Sequence, residues 1–198
     1  IKMAAFTNIN KEKKFIFLHP MRNGGKSIEQ IVFNRSPGDG TSDHMTPKEW
    51  VDQLGSEKEL DTYFKFGFSR NPWDRIVSLY FYRKNNLNHL SKYTFEQYVT
   101  NVSKNVKMIK THKDKINQVE WFYQNGKPID FIGRFENYAE DFEKVKEILG
   151  LDASLVLPQL NASKKRQPYQ EMYNDETRKL VGEMYKQDIE YFNYKFGE

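Results

Sequence analysis

The sequence predicts an α/β fold, a small central parallel sheet flanked by helices, and three observations point to it. Short apolar runs stand at residues 15–18, 63–68 and 129–133, each of strand length. Each is followed, directly or after a short turn, by apolar residues at helical spacing, and strands alternating with helices pack as parallel sheets. Aromatic residues make up 15% of a chain that is only 38% hydrophobic, so large side chains are available for a core and most of the chain does not read as disordered.

Taken in order, Phe15-Ile16-Phe17-Leu18 is a continuous apolar run, as in a strand covered on both faces, and it is broken at Pro20. Past Gly24 and Gly25, residues Ile28, Ile31 and Val32 share one helical face. Thr46-Pro47-Lys48-Glu49 combines a capping box with proline at the first helical position and starts a helix over 47–54. A second strand alternates aromatic with small or basic residues over 63–68, and Asn71-Pro72 caps a helix reaching Arg83. Helices are expected over 94–103 and 114–123. A third strand over 129–133 precedes a helix over 137–149, with Tyr138, Phe142, Val145 and Leu149 on its apolar face and Gly150 as its stop. A last helix is expected over 175–191, and the polar stretches 34–42 and 161–170 read as loops.

Composition narrows the function. A chain of 198 residues fits one domain, expected to span 1–198. The net charge of +4 suggests an anionic partner, a phosphorylated small molecule as readily as nucleic acid. The absence of cysteine excludes disulfides, thiolate metal sites and a cysteine nucleophile. None of the four histidines has metal-ligand spacing, so no metal is expected. No apolar run approaches the ~20 residues of a membrane span, and the start lacks a signal-peptide core, so a soluble, cytoplasmic protein is expected.

The first candidate site is Pro20-Met21-Arg22-Asn23-Gly24-Gly25-Lys26-Ser27, between a strand and a helix. Glycines let backbone N–H groups turn toward a ligand, the helix start adds partial positive charge, and Arg22, Lys26 and Ser27 supply side-chain donors. Together these make a phosphate cradle and a P-loop-like, three-layer reading of the fold. Gly25-Lys26-Ser27 would complete a Walker A motif if position 20 were glycine, but it is Pro20. A kinase using ATP and magnesium is therefore an alternative, as is a non-catalytic module that binds polyanions.

The second is Phe66-Gly67-Phe68-Ser69-Arg70-Asn71-Pro72-Trp73-Asp74-Arg75-Ile76-Val77-Ser78. Arg70 stands at a strand end and Ser78 in the second turn of the following helix, so a guanidinium and a hydroxyl could meet one phosphate, unless Arg70 pairs with Asp74 instead. This segment resembles the 3′-phosphate-binding segment of sulfotransferases that use 3′-phosphoadenosine 5′-phosphosulfate, notably the carbohydrate-type (heparan and chondroitin) group. The first loop is similar to that family's phosphosulfate loop in His19, Gly24, Gly25 and Ser27, with Arg22 at the place of its lysine and Lys26 at that of a threonine. Asp130 to Asn137 and Asp188 to Phe196 are also similar to family segments.

The resemblance implies a single sulfotransferase-like domain that moves a sulfuryl group to a hydroxyl or amine of a small-molecule or saccharide acceptor. No nucleic-acid partner and no metal is expected. The 5′-phosphosulfate would lie on Arg22, Asn23, Gly24, Gly25, Lys26 and Ser27, and the 3′-phosphate on Arg70 and Ser78. Lys165 and Arg166 could close over the nucleotide as a basic flap. Arg22 and Lys26 are the candidates for stabilising the leaving phosphate. For the acceptor proton the resemblance favours His44, which could equally belong to the helix-cap region, with His112 as the second candidate.

Overall fold

The computed structural model describes residues 8–35, 44–87, 91–104, 117–158 and 167–198. In chain order its elements begin with β1 (Ile9–Asn10), β2 (Phe15–Leu18), α1 (Gly25–Val32), α2 (Pro47–Leu54), α3 (Glu57–Leu60) and β3 (Phe64–Ser69). The middle third holds α4 (Pro72–Asn86), α5 (Phe95–Ser103), α6 (Val119–Phe122), β4 (Tyr123–Gln124), β5 (Lys127–Pro128) and β6 (Phe131–Arg134). Last come α7 (Tyr138–Leu149), α8 (Asp175–Met184) and α9 (Lys186–Phe192). The chain divides into two compact units, one of Ile1–Ser69 with Glu120–Asn161, the other of Arg70–Val119 with Ala162–Glu198.

The first unit contains the sheet, in the order β1-β2-β3-β6. The three predicted strands are the parallel ones, β2 beside β3 and β3 beside β6, in the register Phe17 opposite Phe66 and Phe68 opposite Gly133. Phe15, Phe17, Phe66 and Phe68 point from alternate strand positions to one face, where Ile28 of α1 and Phe142 and Val145 of α7 complete a buried cluster. Each such side chain contributes roughly 1.5–3 kcal/mol by leaving water, so this cluster is what fixes α1 and α7 to the sheet. The α/β class with a small parallel sheet flanked by helices therefore stands.

Two features of this unit go beyond the predicted elements. β1 is an antiparallel edge strand, held to β2 by a tight turn in which Asn10 Oδ1 accepts the Lys13 N–H at 2.8 Å. It carries two residues, too few for a periodic signal. The helix expected over 114–123 is, in its described part, only the single turn α6, after which the chain reverses in the β4–β5 hairpin. Asn125 and Gly126 form the turn, both at positive φ (53° and 73°), the geometry that Asn-Gly favours in two-residue hairpins.

In the second unit α4 starts as predicted, with Asn71 Oδ1 accepting the Trp73 N–H and Pro72 at the first helical position. Thr94 and Gln97 form a reciprocal capping box at α5, and Asn174 with Thr177 does the same at α8. Trp73, Tyr169, Tyr173 and Phe196 pack edge to face with ring centroids 4.9–6.4 Å from their partners, Phe95 among them. The helix expected over 175–191 is two helices, broken at Tyr185. That buried tyrosine leaves helical geometry (φ −115°, ψ 30°), and Asp188 and Phe192 of α9 are buried as well.

Candidate functional site

In the first unit β2 runs into the glycine loop, where Arg22 (φ 70°) and Gly24 (φ 82°) take left-handed conformations and no side chain caps the start of α1. Alternating handedness of this kind turns successive N–H groups to one side, and the helix start has no side-chain cap, its Ser27 N–H donating to the Gly24 carbonyl at 3.0 Å, two conditions compatible with holding an anion. Gly25 is fixed for a different reason. A Cβ there would lie 1.9 Å from Nε2 of His19, so the imidazole seats directly on the loop.

Three side chains pin this loop. Asn23 Nδ2 donates to the Phe68 carbonyl at 2.6 Å, the Tyr138 hydroxyl to the Gly24 carbonyl at 2.7 Å, and Ser27 Oγ to the Pro158 carbonyl at 3.2 Å. The Asn23 and Ser27 side chains thus hold the loop itself, whereas Lys26 is exposed and Arg22 partly so. Tyr138 gives no sign of this role in the sequence, where it reads as one apolar-face residue. Burial, with Glu29 adding its charge, pushes its phenol well above the usual range, so it stays a donor.

His44 comes to the same place. Its Nδ1 is 2.7 Å from the carbonyl oxygen of His19, and the two rings lie 4.4 Å apart between centroids. A carbonyl only accepts, so Nδ1 carries the proton and the neutral ring has its lone pair on Nε2. His19 stacks on Phe17 (5.4 Å, 14°) and faces the buried carboxylate of Glu29 at 3.4 Å, which Arg35 also approaches at 3.3 Å. Neither Glu29 nor Arg35 carries a motif that marks it in the sequence.

In the second unit Arg70 is 6% exposed, and its Nε and Nη2 donate to one oxygen of Asp74 at 2.8 and 2.6 Å. Ser78, also buried, follows Asp74 by one helical turn, so the three residues run along one side of α4 and its lead-in. The pairing that sequence spacing allowed is present. Lys165, Arg166 and His112 lie outside the described residues. Among the described residues no group of three or more His, Asp or Glu side chains could hold a metal ion, and no helix is long and apolar enough to cross a membrane.

Residues 4–195 match the sulfotransferase family, and the chain belongs to it. An uncharacterized protein of Archaeoglobus fulgidus is 31% identical over 100 residues, half of this chain and 78% of that protein. No solved structure matches.

Proposed function

We propose that the protein transfers a sulfuryl group from 3′-phosphoadenosine 5′-phosphosulfate to the hydroxyl or amine of a small acceptor, within one functional domain over 1–198. The similarity to carbohydrate-type enzymes makes a saccharide hydroxyl the favoured acceptor. The observation that carries the reading is the hydrogen bond from His44 to the His19 carbonyl, because it sets a basic nitrogen beside an anion-binding loop. A polyanion-binding module has no use for such a base.

In the proposed reaction an acceptor oxygen attacks sulfur as the bond from sulfur to the bridging phosphate oxygen breaks. The acceptor proton passes to His44 Nε2, and adenosine 3′,5′-bisphosphate leaves. The loop N–H groups, Arg22 and Lys26 meet the charge that grows on the bridging oxygen, so they act mainly in the transition state. The imidazolium formed on His44 still donates from Nδ1 to His19 and is steadied by it. Arg70 and Ser78 are assigned to the 3′-phosphate, and Lys165 and Arg166 to the flap over the nucleotide.

A thermal-shift series tests this reading. Adenosine 3′,5′-bisphosphate should stabilise the protein without magnesium, by about 2.7 kcal/mol at a hundred times its Kd, and AMP at the same concentration far less. Equal shifts from the two nucleotides would remove the 3′-phosphate assignment, and a larger, magnesium-dependent shift from ATP would replace sulfuryl transfer with kinase chemistry.

A further inference from the structure

Arg70 is held by its main chain as well as by its side chain. Gln118, 48 positions along the chain and fully buried, presents its amide edge-on to this one residue. Its Oε1 accepts the Arg70 N–H at 2.8 Å and its Nε2 donates to the Arg70 carbonyl at 2.8 Å. An N–H needs an acceptor and a carbonyl needs a donor, so the amide has one orientation that serves both. Asp188 enforces that orientation. Its Oδ2 takes a second hydrogen bond from Gln118 Nε2 at 3.1 Å, while its Oδ1 accepts the Val119 N–H at 3.0 Å, next to Gln118 in the chain.

Arg70 sits between a strand and a helix cap, where neither a sheet ladder nor a helical turn fixes its backbone. The Gln118 amide substitutes for a missing strand neighbour there, and Asp74 completes the restraint at the guanidinium. Both ends of a long, flexible side chain are thereby set before any ligand arrives. Pre-organisation of this kind lowers the entropy lost on binding and sharpens selection for a group in one position.

We propose that Gln118, oriented by Asp188, is a positioning residue that presets Arg70 for the 3′-phosphate of the nucleotide. This rests on the assignment of Arg70 to that phosphate. A side chain that merely stabilised the unit would, on removal, weaken all nucleotides alike, whereas a positioning residue acts on the one phosphate that Arg70 meets.

Calorimetric titration of the full chain with adenosine 3′,5′-bisphosphate and with AMP separates the two. Gln118→Met keeps the volume and removes every hydrogen bond. It should lower the ratio of the two affinities roughly tenfold or more, with AMP binding nearly unchanged. An unchanged ratio, or equal weakening of both ligands, overturns the positioning role while leaving Arg70 as the phosphate ligand. If the unaltered protein itself shows no preference for the bisphosphate, the assignment of Arg70 falls and the proposal with it. Should Gln118→Met fail to fold, Asp188→Asn, which keeps Gln118 but loosens its orientation, should give a smaller fall in the same ratio. No fall there is equally decisive against the proposal.

Discussion

His44 carries its proton on Nδ1 because the partner there, the His19 carbonyl 2.7 Å away, can accept but not donate. That single contact distinguishes two replacements. Alanine removes both the hydrogen bond and the base, whereas asparagine keeps a donor for His19 and offers no basic nitrogen. Both should therefore cut sulfuryl transfer by ~10²–10⁴ while bisphosphate affinity holds, as kcat and a binding titration would show. An active His44→Asn would move the base elsewhere, with His112 the next candidate. Of this residue chemistry the sequence shows the proposed phosphate ligands, Arg22, Lys26, Arg70 and Ser78, and the proposed base, His44, because motifs record which groups can donate or accept. Their supports, Glu29, Tyr138 and Gln118, follow no local pattern.

The glycine loop owes its shape to elements on either side of it. α7 supplies the Tyr138 hydroxyl that holds the Gly24 carbonyl, and β3 supplies the Phe68 carbonyl that Asn23 reaches. Tyr138→Phe keeps the ring packed edge-on against Phe68 (4.7 Å, 80°) and leaves the partly buried Gly24 carbonyl with the Ser27 N–H in place of the hydroxyl and that N–H together. It should cost about 0.5–1.5 kcal/mol in urea unfolding and weaken bisphosphate binding more than its stability loss alone explains. Stability lost with unchanged affinity would confine Tyr138 to packing. The parallel strands and the starts of α2 and α4 were legible because apolar runs and caps are written within a few residues. Helix ends were less so: helical periodicity continues through Tyr185, where burial of Tyr185, Asp188 and Phe192 breaks it.

At the level of the molecule, the second unit encloses a carboxyl group. Burial pushes Asp188 up from the ordinary carboxylate range, against hydrogen bonds from Gln118 and Val119 and the charge of Arg75. A carboxyl raised on folding binds its proton more tightly in the folded state. Its stabilising contribution is therefore complete below the unfolded value of about 4 and is lost as pH rises through the folded one. The protein should lose stability relative to Asp188→Asn as pH is raised from about 4 toward neutrality, measured by urea unfolding at a series of pH values. Parallel curves for the two proteins would show that Asp188 does not titrate in that range.

The sequence by itself determined the α/β class, the parallel strands, the glycine loop, the Arg70 to Ser78 segment and the family resemblance, all of which depend on side chains within about ten residues of one another. Only the tertiary structure decided which groups meet across longer separations: His44 with His19, Tyr138 with Gly24, and Gln118 with both Arg70 and Asp188. These pairs lie 25 to 114 positions apart. The physical reason is that capping and periodicity are satisfied by the local backbone, whereas the partner of a buried polar side chain is chosen by where the packed core leaves an unmet donor or acceptor.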